Sequence, residues 1–249
     1  MNMLKKLYDK SEIWFAVSWI IAYCALMSVG DLLSGWIGIN KSATLAIGLL
    51  LSAILLLFLK KNGLFAAYGL GKPKVSAKTM LYYMPILIML TTNFWYGASL
   101  NCGALETVLY ILAMFCVGFL EEAIFRGLLF EALRKDNVKT AIIISSVTFG
   151  IGHIINLING SGAELIPNLL QVMYATAAGF MFVMIYYKSQ SLLICAAVHG
   201  IFNATSVFAN EAGATQQMRV LTAVLLTVIT GAYALYLAFT LKGKDHQMQ

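Results

Sequence analysis

The chain of 249 residues is divided into eight long apolar runs by short polar or charged breaks. A helix that crosses a membrane needs about 20 mostly apolar residues. The runs are Ile13–Val29, Ala43–Leu59, Thr79–Phe94, Thr107–Phe130, Thr140–Ile155, Leu165–Tyr187, Leu192–Phe208 and Val220–Leu241. Because backbone polar groups must be satisfied internally in lipid, such runs form helices. We therefore predict an all-α, polytopic membrane bundle of about eight transmembrane helices.

The composition supports an integral, multi-pass membrane protein. Hydrophobic residues make up 60% of the chain and charged residues only 11%. Such a composition leaves no room for a large soluble domain. The lipid bilayer is therefore one expected partner of the chain.

The positive charges predict the orientation of the bundle. Short cytoplasmic loops collect Lys and Arg. Of the 17 Lys and Arg residues, all but Lys41, Arg126 and Arg219 lie before the first run, after the last, or in the breaks that follow the second, fourth and sixth runs. Both termini are therefore predicted to be cytoplasmic. Because this charge is scattered over loops rather than clustered in a patch, the net charge of +6 indicates no nucleic-acid partner.

The fourth run contains three ionisable residues, Glu121, Glu122 and Arg126. Charge at membrane depth is a functional hypothesis by default. Glu122 and Arg126 are spaced i,i+4, which allows a salt bridge that lowers the cost of burying both charges. Adjacent helical residues point about 100° apart, so Glu121 is left for a site. The alternative, two carboxylates in water at a helix end, is disfavoured because the apolar run continues beyond Arg126.

Two histidines lie in later apolar runs that are otherwise free of charge. Counted at about 1.5 Å per residue from the nearest cytoplasmic basic residue, Glu121, His153 and His199 lie roughly 17 to 21 Å deep. Three helices would thus present polar groups at one level, which predicts a shared site. Asn203 follows His199 by four residues and shares its helix face. The alternative is that these side chains join helices by hydrogen bonds, and that Gly150 and Gly152 allow close helix approach.

Three motifs occur in order on separate runs: Glu121-Glu122-x-x-x-Arg126, Phe149-x-x-x-His153 and His199-x-x-x-Asn203. Together they resemble the CPBP family, the CAAX protease and bacteriocin-processing family. It includes the type II CAAX-prenyl endopeptidases and the bacterial Abi proteins linked to bacteriocin processing and self-immunity. We therefore predict a catalytic core at 101–210, preceded by motif-free helices at 1–100 and followed by a helix and tail at 211–249. The bacterial cell membrane is the expected location.

The resemblance implies an intramembrane endopeptidase in which Glu121 and His153 activate water against a peptide carbonyl. His199 and Asn203 would stabilise the oxyanion of the tetrahedral intermediate, a role suited to fixed donors in a dry cavity. The implied substrate is a membrane-associated protein or peptide, such as a CAAX-like, bacteriocin or peptide-signal precursor. Three further residues would organise the site: Glu122, Arg126 and Phe149.

A metal is the alternative use of the same side chains. One Glu and two His, here Glu121, His153 and His199, form a recognised zinc ligand set with water in the fourth position. The chain lacks the HExxH spacing that would place both histidines and the base on one helix. We therefore expect no obligate cofactor, with zinc as the open alternative.

Two other classes of function fit intramembrane charge. A transporter could use the glutamate and the histidines as an ion pathway, but Pro85 and Pro167 lie near the starts of their runs rather than in mid-helix, where transporters often interrupt helices. A catalytically idle scaffold or immunity protein could bind a peptide with the same residues. The intact set of catalytic residue types favours the peptidase.

Overall fold

Residues 2–80, 83–159 and 163–240 are described by the computed structural model, and most of them are helical. The main helices are α1 (Asn2–Lys10), α2 (Glu12–Ile37), α3 (Ser42–Lys61), α4 (Tyr83–Thr91), α5 (Ala104–Leu133), α6 (Val138–Gly152), α7 (Leu165–Ser189), α8 (Leu192–Thr205) and α9 (Gln216–Thr240). Short 3₁₀ segments extend α4, α6 and α8. The prediction of an all-α membrane bundle is confirmed.

Six of the eight predicted runs form helices that are long and apolar enough to cross a membrane. These are α2, α3, α5, α6 with its extension to Leu157, α7 and α9. The other two runs form shorter apolar helices, Met84–Phe94 and Leu192–Phe208. The 14 residues of α8 span only about 21 Å at 1.5 Å per residue, less than the ~30 Å hydrocarbon core. Residues 81, 82 and 241, which belong to predicted runs, lie outside the described residues.

The first predicted run ends too early, because α2 continues to Ile37. The predicted run ends at Val29, before Gly30 and Asp31, where the apolar pattern breaks. In the structure Asp31 accepts hydrogen bonds from Lys41 Nζ at 2.7 Å and from Thr44 Oγ1 at 2.6 Å. The carboxylate is therefore paired within the bundle, and the helix passes through it.

One end of the bundle collects the connections that are rich in lysine. Lys135, after α5, donates to Glu12 Oε1 at the start of α2 over 2.5 Å. The backbone N–H of Lys74, after α3, donates to the carbonyl of Ser189 at the end of α7 over 2.9 Å. The chain start and the breaks after α3, α5 and α7 thus meet at this end, which we call the basic end.

The other connections meet at the opposite end, which we call the lysine-poor end. The backbone N–H of Asn40, after α2, donates to Glu106 at the start of α5 over 2.8 Å. Asn101, before α5, donates to the carbonyl of Val207, just beyond α8, over 2.9 Å. The chain therefore alternates between the two ends, as the charge pattern predicts; which end faces the cytoplasm stays a prediction.

Two glycines allow α5 and α8 to touch backbone to backbone. A Cβ on Gly118 would lie 2.5 Å from the nitrogen and 2.7 Å from the Cα of Gly200, distances that real Cβ atoms do not adopt. Gly118 precedes Glu122 by one helical turn, and Gly200 follows His199 directly. The close contact therefore brings the first and third motifs together. Gly150 makes the expected close approach, against Thr176 of α7, whereas no atom lies within 4 Å of a Cβ position on Gly152.

Candidate active site

A cavity of about 470 Å³ brings the predicted site residues of three helices together. Glu121 of α5, Phe149 and His153 around the end of α6, and Asn203 of α8 all line it. A second cavity of about 50 Å³ adjoins it and is lined by His199, with Phe149, His153 and Asn203 contributing to both. The structure thus brings these side chains to one space; their common depth in a membrane stays a prediction.

Beneath this cavity lies a fully buried ion pair between Glu122 and Arg126. Nη1 of Arg126 donates to Glu122 Oε1 over 3.1 Å, and both side chains are 0% exposed. Nη2 donates to the carbonyl of Gly179 on α7 over 3.4 Å. The guanidinium carbon lies 4.1 Å from the ring centre of Phe149 and 5.4 Å from that of Phe182. Aromatic faces stabilise a desolvated guanidinium, so the predicted pair is present and also joins α5 to α6 and α7.

The segment that contains Arg126 departs from α-helical geometry. Residues Ala123–Phe130 of α5 form a π-helix, in which backbone hydrogen bonds run from i to i+5. Such π segments are uncommon and occur often at functional sites. All residues of this segment are buried. The sequence gives no signal for this change, because the apolar pattern is continuous on either side of it.

His199 lies between the two glutamates. Its Nδ1 is 2.8 Å from Glu122 Oε1, and its Nε2 is 3.5 Å from Glu121 Oε2. A carboxylate at this distance accepts the Nδ1 proton. The ring also stacks on Phe182, with centroids 5.4 Å apart and planes 19° apart. The sequence predicts separate roles for the two glutamates. In the structure the imidazole of His199 links them, because Nδ1 contacts Glu122 and Nε2 lies near Glu121.

The four ionisable side chains form one connected set: Arg126 contacts Glu122, Glu122 contacts His199, and His199 contacts Glu121. Of these side chains, Glu122 and Arg126 are completely buried, His199 is 7% exposed and Glu121 is 13% exposed. Charges with so little access to water are tolerated only when they are paired. A change in one member therefore affects the other three.

Glu121 is held through one carboxylate oxygen only. The hydroxyl of Tyr23 on α2 donates to Glu121 Oε1 over 2.7 Å. Glu121 Oε2 has no hydrogen-bond partner among the described residues, although His199 Nε2 lies nearby. The sequence does not predict a role for Tyr23 in the site, because it is one aromatic residue in an apolar run with no motif around it. The carboxylate is thus oriented from outside the motif helices, and its buried Oε2 faces Nε2 of His199 at 3.5 Å.

His153 is held through its other ring nitrogen. Nδ1 lies 3.0 Å from the carbonyl oxygen of Phe149, one turn earlier. Because a carbonyl only accepts, Nδ1 carries the proton and Nε2 presents its lone pair when the ring is neutral. The backbone carbonyl of His153 accepts from Asn168 Nδ2 of α7 over 2.8 Å. His153 begins the 3₁₀ segment His153–Leu157, and Asn168 anchors that transition.

The site does not assemble a ready metal centre. Among residues 2–80, 83–159 and 163–240, no three His, Cys, Asp or Glu side chains are grouped so that they could hold one ion. Glu121 and His199 are in contact, but His153 does not complete a three-ligand group with them. The donor types of the zinc alternative are present, and their arrangement does not fit it.

The comparisons with known proteins agree with the motifs. Residues 103–205 match the family described as type II CAAX prenyl endopeptidase Rce1-like. No curated protein and no solved structure matches the chain. The matched segment contains all seven predicted site residues, whereas Tyr23 lies outside it. The resemblance to the CAAX protease family is confirmed over this segment.

We expect Tyr23→Phe to lower kcat with little change in KM. The substitution keeps the ring and removes the hydroxyl that orients Glu121; a hydrogen bond to a charged group contributes about 1.5–3 kcal/mol, or at least tenfold in rate. The measurement is kcat and KM for a peptide that the wild type cleaves. Tyr110→Phe is the matched control, since Tyr110 lines the same cavity but bonds to Ser206. Equal losses in both variants would contradict a specific role for Tyr23.

Proposed function

We propose that this member of the CAAX protease family is an intramembrane endopeptidase that hydrolyses a peptide bond of a membrane-associated protein or peptide. One observation carries the proposal: Glu121 of α5, His153 at the end of α6 and Asn203 of α8 line one cavity of about 470 Å³. A carboxylate oxygen and an imidazole lone pair beside one space can together bind and deprotonate water. We also propose the bacterial cell membrane as its location, because the resemblance includes bacterial proteins.

In this proposal Glu121 and His153 prepare the attacking water. Oε2 of Glu121 accepts one proton of the water, while the Nε2 lone pair of His153 accepts the other as a hydrogen bond. The hydroxide equivalent attacks the carbonyl carbon, and the carbonyl π electrons move to oxygen. The proton on Glu121 then passes to the departing amine nitrogen as the C–N bond breaks. The products are a carboxylic acid and an amine, so atoms and charge balance.

His199 and Asn203 suit the stabilisation of the oxyanion. They lie one turn apart on α8, and both line the small cavity beside His153. Glu122 accepts the Nδ1 proton of His199; in this proposal the ring also carries a proton on Nε2, and that N–H and the amide of Asn203 donate to the oxyanion. Fixed donors in a site with little water stabilise a developing negative charge more than mobile water does.

Glu122 and Arg126 act in this proposal as positioning residues. Glu122 Oε1 accepts from both Arg126 and His199, which fixes the plane of the imidazole. Phe149 contributes its carbonyl to His153 and its ring to Arg126. All three residues act through another side chain and need not touch the substrate.

The shape of the cavity favours a peptidase over a transporter. Its volume of about 470 Å³ is in the range of small-molecule and peptide sites, roughly 300–1,000 Å³. Glu121 and Phe125 are its deepest lining residues on α5. Ile124, Leu128 and Phe130, which continue toward the basic end, are at most 2% exposed. The cavity is thus closed toward the basic end by apolar side chains, which suits a reaction site. An ion pathway would need polar groups from the cavity to both ends of the bundle.

We expect Glu121→Gln to abolish peptide hydrolysis while the protein still inserts and purifies. Glutamine keeps an oxygen for Tyr23 but cannot take a proton from water, and loss of a general base typically costs 10²–10⁴-fold in rate. The inactive variant also allows substrate capture, with the bound polypeptides identified by mass spectrometry. Glu106→Gln, at the start of α5, is the matched control. Retained hydrolysis in Glu121→Gln would refute the mechanism and would favour a binding or immunity role.

We expect full activity after exhaustive chelation, since Glu121 and His153 activate water without an ion. The measurement is peptide hydrolysis by protein whose metal content has been determined, before and after chelation and with zinc added back. Activity that disappears with the metal and returns with zinc would establish the zinc alternative, with Glu121, His153 and His199 as the ligands to test.

A further inference from the structure

The cavity extends from the candidate site toward one end of the bundle only. Glu121 and Tyr23 lie near the middle of their helices, and the lining continues through residues that approach the lysine-poor end. On α2 these are Cys24, Met27, Ser28 and Asp31, and on α5 they are Val117, Met114 and Tyr110. Lys41, Asn159, Ala163 and Ala209, from the connections at the lysine-poor end, also line the cavity. No described lining residue lies in a connection of the basic end.

The side chains between the site and the basic end are closely packed. Leu128 and Phe130 of α5, Ile185 of α7 and Leu192 of α8 are all at most 2% exposed. Met181 and Val183 of α7 are 0% exposed. The described part of this half of the bundle is thus a packed apolar layer. A substrate that reaches Glu121 must therefore come from the lysine-poor end or from the side of the cavity.

The charge difference between the two ends indicates which side of the membrane each faces. Twelve described basic residues lie at the basic end: Lys5, Lys6, Lys10, Lys60, Lys61, Lys72, Lys74, Lys78, Arg134, Lys135, Lys139 and Lys188. The lysine-poor end has Lys41 and Arg219, and Lys41 is paired with Asp31 at 2.7 Å. Because cytoplasmic loops collect positive charge, this distribution predicts that the basic end faces the cytoplasm and the cavity the opposite side.

We propose that the site receives its substrate from the extracytoplasmic face of the membrane. The substrate class is then a translocated polypeptide segment that lies at the outer membrane surface, rather than a cytoplasmic C-terminal tail. The identity of the substrate as a polypeptide rests on the proposed function, whereas the direction of opening does not.

The chemistry of the cavity wall suits an extended peptide backbone. The charged lining residues are Asp31 and Lys41, which neutralise each other, and Glu121. Carboxamides are frequent along the wall: Asn93, Asn156, Asn159, Gln171 and Asn203. Asn93 donates to the carbonyl of Phe202, and Asn156, Asn159 and Gln171 bond to one another, so a peptide would exchange bonds with this network. Carboxamides both donate to and accept from peptide groups. The wall therefore matches an uncharged peptide segment better than an anionic lipid headgroup.

A native cysteine allows the direction of opening to be measured without a substrate. Cys24 lines the cavity, whereas Cys102 lies in the connection before α5 at the lysine-poor end. Variants that keep only Cys24 or only Cys102 would be compared with a cysteine-free variant carrying Lys61→Cys at the basic end. The probe is a membrane-impermeant, cationic methanethiosulfonate, applied to right-side-out and to inside-out membrane vesicles.

We expect Cys24 and Cys102 to be modified at least tenfold faster in right-side-out vesicles, and Lys61→Cys at least tenfold faster in inside-out vesicles. Modification of Cys24 from the same side as Lys61→Cys would overturn the proposal. Protection of Cys24 on both sides would overturn it as well, because the cavity would then be closed to water.

A second measurement addresses the substrate. New polypeptide termini in membranes of cells that express the wild type are compared with those in cells that express Glu121→Gln. We expect Glu121-dependent termini within translocated segments close to the membrane. Such termini in cytoplasmic segments would overturn the proposed side while the peptidase function stands. A complete lack of Glu121-dependent termini would overturn the peptidase function, with the direction of opening still decided by the labelling.

Discussion

The guanidinium of Arg126 is the interaction on which the site depends, because it is a full positive charge with no access to water. Glu122, the Gly179 carbonyl and the ring of Phe149 surround it and belong to three helices. Removing one partner of a buried ion pair costs about 3–5 kcal/mol, since the other charge stays buried and unpaired. The same carboxylate oxygen holds His199. Glu122, which neutralises Arg126, therefore also orients the imidazole of His199.

The close packing of α5 against α8 and the contacts among the charged side chains of the site depend on each other. The contact between Gly118 and Gly200 lets α5 and α8 approach closely enough for His199 to reach both glutamates. A larger residue at Gly118 would force the backbones apart, and overpacking typically costs about 1–3 kcal/mol. The motif helices alone do not complete the site, because Tyr23 of α2 orients Glu121. Residues before the matched segment thus contribute directly to the geometry around Glu121.

Much of this arrangement follows from the sequence, and the rest depends on contacts between helices. Long apolar runs predict helices because lipid permits few other structures, and i,i+4 spacing predicts the Glu122–Arg126 pair. The continuation of α2 through Asp31 could not be predicted, since it depends on Lys41 and Thr44. The contact of Tyr23 with Glu121 joins residues 98 positions apart, and a single sequence carries no signal for such a pair. The π-helical turn around Arg126 likewise has no pattern of its own.

The central claim is that the fully buried Glu122–Arg126 ion pair acts as one unit that also holds His199, and unfolding of three variants tests it most directly. Glu122→Gln and Arg126→Gln each leave one buried charge without its partner, whereas the double variant removes both charges of the pair. The measurement is the free energy of unfolding of each purified protein in the same detergent. The account predicts that the double variant is more stable than either single variant. Additive losses, with the double variant the least stable of the three, would contradict it.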